Sequence, residues 1–378
     1  MDPSVVVALV LVVAAGIALE IGFSSAIAEI LAGIALAYFY SDISSLSWVE
    51  FLGNLGLLGL MFLAGFEVDV LRLRKTWQTS VGIGVSSLVL PMLGVFIVCA
   101  FLINLSWTAA GLMAIGLSTT SLALVYHALK ERGDLGGDFG QIMLSAATVV
   151  DVLSMIALAI LLGNTGWGTA IFLIVLIPMI FGLPRVGNWI FRRYGGSIVE
   201  FELRFLMVVL ISMGFMAEHV GGIHPAIIAF AIGLMLSEVV EEHGEVEEKL
   251  RAIVFSLLAP IFFLHAGMQI DLTLVNFDLA LQFVVLAIAA IGLKFAGTAI
   301  STHYLLGHSS IFAGLLFNYR LAFGIVTATV GLEAGIITKA QYSIVLMVIV
   351  SSALLPALFL QDTPNELDRP DQNDRTPP

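Results

Sequence analysis

The sequence predicts an all-α polytopic membrane protein of about thirteen transmembrane helices, and three observations carry that expectation. Of the 378 residues, 59% are hydrophobic and only 12% charged, with a mean hydropathy of +1.04; an ordinary soluble domain carries roughly 25% charge. Apolar runs of about 20 residues, the length that spans a bilayer, recur between breakers along the chain. A short motif near the end of one run returns about 200 residues later near the end of another. This composition excludes a water-soluble enzyme, and the formal charge of −12 argues against nucleic acid as a partner.

In order, the expected spans are 4–22, 24–40, 50–70, 80–103, 107–128, 141–163, 167–184, 202–219, 223–238, 252–269, 278–301, 310–332 and 340–360. The opening Met-Asp-Pro-Ser has no basic leader, so the first run reads as a span rather than a cleavable signal. The one cysteine, Cys99, lies in an apolar stretch and offers neither a disulfide framework nor a cysteine metal site. An N-terminus outside puts Arg72, Arg74, Lys75, Lys130, Arg132, Arg192, Arg193, Lys249 and Arg251 in cytoplasmic connections, with Lys339 on the other side. The positive-inside rule therefore orients the chain N-out and C-in, as a multi-pass protein of the cell (plasma) membrane. Much of the negative charge sits in Glu238, Glu241, Glu242, Glu245, Glu247 and Glu248, read as a solvated face. The rest of it falls largely in the 362–378 segment, read as a disordered cytoplasmic tail.

The third span ends Ala64-Gly65-Phe66-Glu67-Val68-Asp69 and the tenth Ala266-Gly267-Met268-Gln269-Ile270-Asp271. Ala32-Gly33-Ile34-Ala35-Leu36 in the second recurs as Ile232-Gly233-Leu234-Met235-Leu236 in the ninth, in the same register. An offset of seven spans turns the second copy upside down. The expected organisation is a membrane domain over 1–361, with inverted repeats over about 1–163 and 200–361 and a linker helix over about 167–198. Such repeats build secondary transporters that expose one midplane site alternately to each side.

Ionisable groups at membrane depth are functional candidates by default, because an unpaired one costs about 3 kcal/mol on insertion scales. Asp151 lies near the middle of its span, with Thr148 one turn before it and Ser154 three residues after, all on one helical face. A carboxylate among hydroxyls suits a dehydrated monovalent cation or a proton, since a transition metal would call for His or Cys nearby; the alternative is a buried structural ion pair. Lys294, deep in span 11, belongs by the repeat in the same half-bundle and could approach Asp151, either as a neutralising partner or as a proton carrier. Ser118, Thr119, Thr120 and Ser121 interrupt the fifth span at midmembrane, and Asn318-Tyr319-Arg320 interrupt its mate. Two such interruptions at matching places predict two broken, crossing helices whose freed carbonyls and helix ends face each other. Arg320 is then placed to offset helix C-terminal ends and nearby carboxylates. Glu218, near a span end, reads as an interfacial or ion-pairing, charge-compensating residue.

With these residues in hand, the chain resembles the monovalent cation:proton antiporters, in the branch of Kef-type potassium efflux proteins and Nap-type sodium/proton antiporters. The resemblance runs over 1–360 and is carried by Phe62-Leu63-Ala64-Gly65-Phe66-Glu67, Ser118-Thr119-Thr120, Asp151, Ala217-Glu218, Ala229-Phe230-Ala231-Ile232-Gly233-Leu234, Pro260-Ile261-Phe262-Phe263-Leu264, and Lys294 with Gly297. It implies thirteen spans, a homodimer, and a core domain moving like an elevator against a dimerisation domain. It also implies ion binding at Asp151, a crossover at Thr119 and Thr120, and Lys294 as the membrane lysine. Many members have a second acidic residue or Asn before the aspartate, where this chain has Val150. The Kef-type cytosolic nucleotide-binding domain has no counterpart, so gating by nucleotide is not expected. The expectation is an antiporter, not an enzyme, exchanging Na+, K+ or Li+ for H+ at Asp151 electroneutrally and without a cofactor. A sodium-coupled organic-anion symporter and a cation channel are the alternatives.

Overall fold

In the computed structural model the described residues are 2–21, 24–40, 46–68, 70–163, 167–195, 199–241, 244–274, 276–307 and 310–359. The expected tail over 362–378 lies outside them, as do Asp69 and the side chains of Arg72, Arg74, Glu238, Glu241, Glu242 and Glu245.

The apolar runs fold into helices. α1 (Pro3–Ile21), α2 (Ser25–Phe39) and α3 (Ser47–Phe66) match the first three spans. α4 (Val70–Ile97) begins earlier than expected, because Arg72, Arg74 and Lys75 favour helix and extend it beyond the apolar run, with a kink at Thr76. A π-turn over Val98–Leu102 completes that span. The fifth span is broken into α5 (Trp107–Gly116) and α6 (Leu122–Arg132). Ser106 caps α5 by accepting from the Ala109 amide at 3.2 Å, and Gly133, at φ 79°, ends α6 in the left-handed conformation that glycine tolerates. α7 (Asp138–Leu162) is one uninterrupted helix, and α8 (Trp167–Tyr194) outlasts its apolar stretch to carry Arg192 and Arg193 in its last turn.

α9 (Phe201–Met216) continues into a π-turn, Ala217–Gly221, and is followed by α10 (Pro225–Glu241). The tenth span is α11 (Gly244–Ile253), a π-turn (Val254–Leu258) and α12 (Ala259–Met268) end to end. Of the acidic cluster expected to be a solvated face, Glu248 is exposed, whereas Glu247 is partly buried: Val246 and Leu250 are buried along one side of α11, an amphipathic helix on which Glu247 turns to Arg251. α13 (Phe277–Ala287), a π-turn (Ile288–Gly292) and α14 (Leu293–Leu306) make the eleventh span. α15 (Ser310–Leu316) and α16 (Ala322–Glu333) form the second broken span, and α17 (Lys339–Phe359) the last. Among the described residues, eight helices are long and apolar enough to cross a membrane.

By their packing the helices form two groups: α1 to α3 with α8 to α12, and α4 to α7 with α13 to α17. The groups meet where α10 touches α7 and α3 touches α16. In lipid no hydrophobic force draws helices together, so small residues that let backbones close up decide their contacts. The repeated glycine motifs do this crosswise. A Cβ on Gly65 of α3 would run into the Phe230 carbonyl of α10, and one on Gly233 of α10 into the Phe62 carbonyl of α3. A Cβ on Gly33 of α2 would meet the Leu264 carbonyl of α12, and one on Gly267 the Ile30 carbonyl. Each half of the sequence thus supplies one glycine to each of the two closest crossings.

Candidate functional site

Each broken span leaves its helix where a polar run competes for the backbone. Ser118 donates its hydroxyl to Ala114 O at 2.6 Å and Thr119 to Gly116 O at 3.2 Å. These back-bonds satisfy the carbonyls that the end of α5 leaves open. The two breaks face each other directly. The Ser121 amide donates to Tyr319 O at 2.7 Å, and the Thr120 hydroxyl to Phe317 O at 3.3 Å. Gly116 lies against Gly324 and Thr327 of α16. The expected crossing is therefore present, and three hydroxyls of the run donate to backbone carbonyls, which leaves their oxygen lone pairs as the part open to a cation.

Asp151 is in the middle of α7 and 5% exposed, among Val150, Ser154 and Met155, all buried. Thr148 bonds back to Leu144 O at 3.1 Å, while the buried hydroxyls of Ser154 and Ser145 have no hydrogen-bond partner among the described residues. Lys294 is fully buried. Its ammonium makes no ion pair with Asp151; it donates to Ser118 O at 2.6 Å and to Ser87 O and Oγ at 3.3 Å each. Its contacts are to the crossover backbone and to α4. The expected freed carbonyl at Ser118 is consequently occupied by an ammonium.

Arg320 is also fully buried. Its guanidinium donates to Ala290 O and, at 3.1 Å, to Asn318 Oδ1, and Asn318 in turn donates to Gly314 O at 2.9 Å. Ala290 belongs to the π-turn of the eleventh span, and a π-turn disturbs the regular pairing of carbonyls in its helix. Arg320 therefore binds the irregular backbone of a π-turn, whereas the expectation was helix C-terminal ends and nearby carboxylates; no carboxylate pairs with it among the described residues. Glu218 sits exposed on the π-turn after α9 and forms no ion pair among the described residues, so the structure gives it no charge-compensating contact.

A cavity of about 730 Å³ opens toward this region. α7 lines it with Leu144, Ser145 and Thr148, ending one turn short of Asp151. The lining also includes Glu67, Glu247, Glu248 and Arg251. Arg251 pairs with Glu67 at 2.9 Å and with Glu247 at 2.8 Å. Sequence reasoning assigned Glu67 and Arg251 no role in the site. The signal available for Glu67 was its place at the end of a motif whose other copy has Gln269. Among the described residues no group of His, Cys, Asp and Glu is arranged to hold a resident metal ion.

A buried carboxylate beside crossed, broken helices, with a cavity leading toward it, defines a membrane transporter of small cations. The sodium/hydrogen exchanger transmembrane family model matches residues 6–361, and the chain belongs to that family. It is 30% identical over 328 residues to the probable Na+/H+ antiporter 3 of Methanocaldococcus jannaschii, covering 82% of each chain. It is 24% identical to the Na+/H+-K+ antiporter GerN of Bacillus cereus over 93% of this chain and 92% of that one. The sodium proton antiporter MjNhaP1 of M. jannaschii superimposes with a TM-score of 0.68 over 95% of this chain and 97% of that one, at 17% identity, a likeness of fold. By family the chain is a multi-pass membrane cation/proton antiporter, not an enzyme, and its ions are substrates rather than cofactors.

Proposed function

We propose that the chain exchanges Na+ for H+ by alternating access, with cation and proton competing for Asp151 and with K+ or Li+ able to replace Na+. The observation that carries this reading is the position of Asp151: midway along α7, 5% exposed, one turn beyond the Thr148 that lines the cavity. A bare carboxylate there is expensive to move through lipid, so the site travels loaded with either ion. Competition for one charge then couples the two fluxes. Val150 cannot ionise and Lys294 is held by carbonyl and hydroxyl oxygens, which supports one cation per proton and no net charge moved. Thr148, Ser154 and the Ser118-Thr119-Thr120 crossover complete the surroundings of the ion, with Lys294 and Arg320 balancing charge.

The same reading takes the halves over about 1–163 and 200–361 as inverted repeats joined by the linker helix over about 167–198. It places the N-terminus outside, the acidic tail over 362–378 inside, and the chain as a homodimer in the plasma membrane. The group of α4 to α7 with α13 to α17 would move against the other group. The cavity beside Arg251 then opens on the cytoplasmic side.

The test is dye-reported proton movement in proteoliposomes, adding Na+, Li+ or K+ in turn to wild type and to Asp151→Asn. Cation-triggered alkalinisation of acid-loaded vesicles in the wild type, absent in the variant, is the expected result. Undiminished exchange in Asp151→Asn would remove Asp151 as the site. Uptake of an organic anion that requires sodium, without cation/proton exchange, would favour the symporter instead.

A further inference from the structure

The rim of the cavity carries a charge arrangement that exchange at Asp151 alone does not require. Glu67 ends α3, where its amide donates to Leu63 O at 2.9 Å and its side chain is 14% exposed. Arg251 reaches it from the last turn of α11, while holding Glu247 one turn back on the same helix. The other titratable or charged groups lining the cavity are Glu248 and Tyr126. Glu67 lines the same cavity as Ser145 and Thr148 of α7, and Thr148 lies one turn before Asp151. Glu67 is thus a second carboxylate facing the approach to the exchange site, and a fixed cation accompanies it.

We propose that Arg251 is a positioning residue of the ion path: by holding Glu67 and Glu247 at the rim it offsets one of the rim's negative charges, and so limits how far the rim adds to the attraction of Asp151 for cations and protons. The inference deepens the reading of Asp151 as the exchange site and rests on it. Its consequence follows from the equal charges of the competitors. A freed Glu67 would strengthen binding of Na+ and of H+ at Asp151 by the same factor. Under alkaline conditions, where protons do not compete, the apparent KM for Na+ falls by that factor. Under acid conditions the two gains cancel and KM stays where it was. The pH at which competition sets in therefore moves upward without a change in the acid limb, a pattern that general damage to the fold would not produce.

The experiment compares wild type, Arg251→Gln, Glu67→Gln, the double variant and Asp151→Asn in proteoliposomes, measuring KM for Na+ across a pH series. Arg251→Gln should lower the alkaline KM by on the order of fivefold, the scale of one unit charge acting across a hydrated cavity. Glu67→Gln should raise it, since the rim then carries one negative charge fewer, and the double variant should return to within about twofold of wild type, the two opposite charge changes offsetting each other. Arg251→Lys, which keeps the charge, should leave the profile near that of wild type. If Arg251→Gln fails to assemble, Glu67→Gln decides: an alkaline KM unchanged from wild type overturns the proposal. Single variants that both keep the wild-type KM and crossover pH overturn it as well. An inactive Asp151→Asn beside them would show that the exchange site still stands, whereas an active one would fault the site itself.

Discussion

The Lys294 ammonium donates to the Ser118 carbonyl at 2.6 Å, joining the eleventh span to the break in the fifth. A buried lysine of an ion exchanger is expected to neutralise a carboxylate, yet here the residue before Asp151 is Val150 and the ammonium turns to backbone and to Ser87. The carbonyl it takes is one that the break in the helix sets free, so a single contact covers an open acceptor and lodges a charge in the bundle.

Lys294→Gln accordingly tests two roles at once. Loss of the ammonium weakens the hold on a buried acceptor, a defect worth about 1–3 kcal/mol, and thermal unfolding in detergent should shift down by several degrees. Transport current on a solid-supported membrane under ion gradients should be absent in wild type and variant alike. A wild-type current that disappears in Lys294→Gln would instead make the lysine a carrier of a second proton.

Thr148 and Ser154 flank Asp151 but differ in position. Thr148 lines the cavity, whereas Ser154 is fully buried beyond it, with no partner for its hydroxyl among the described residues. Thr148→Val, which removes the polar group along the approach, should raise KM for Na+ several-fold with little loss of stability, because its hydroxyl only back-bonds within α7. Ser154→Ala, which relieves an unsatisfied buried hydroxyl, should leave thermal stability equal or slightly higher. If the hydroxyl ligates the ion in the loaded state, the same variant will also raise KM, and ion titrations of the two variants side by side separate these outcomes.

Thr120→Val removes the hydroxyl that bridges the two broken spans at Phe317 O. One buried hydrogen bond is worth about 1 kcal/mol, so unfolding should move only slightly. The maximum exchange rate should fall more than the ion affinity, since the bond fixes the crossing rather than touching the cavity. A KM change larger than the rate change would place Thr120 among the ion's ligands.

The span pattern and both helix breaks were legible because each rests on a local property: apolar runs fold to helix in lipid, and a Ser118-to-Ser121 run competes with its own backbone. The partners of the buried cations were not. Lys294 and Arg320 are answered by Ser118 O, Ala290 O and Asn318. A side-chain inventory looks for carboxylates and cannot see backbone oxygens exposed by a break or a π-turn. Arg251 and Glu67 escaped for a different reason. They are distant in sequence, and the acidic run around Glu247 reads as a solvated face until Val246 and Leu250 are known to be buried. The glycine motifs were legible as a repeat, but not that each copy packs against the other.

That crosswise packing makes the last prediction. Gly65→Ala and Gly233→Ala each push a methyl group into a carbonyl of the facing helix, and main-chain atoms cannot step aside as a flexible side chain would. Overpacking of this kind costs about 1–3 kcal/mol, so each variant should unfold at a clearly lower temperature in detergent. Gly16→Ala on α1 is the control: nothing lies within 4 Å of the added carbon, and alanine favours helix over glycine by about 0.5–1 kcal/mol, so its melting temperature should hold or rise. If α3 and α10 keep their crossing while the core group moves, the residual activity of Gly65→Ala at permissive temperature should show a normal KM. A changed KM would mean that the crossing itself shifts during exchange, and the two groups of helices could not be treated as bodies divided along that line.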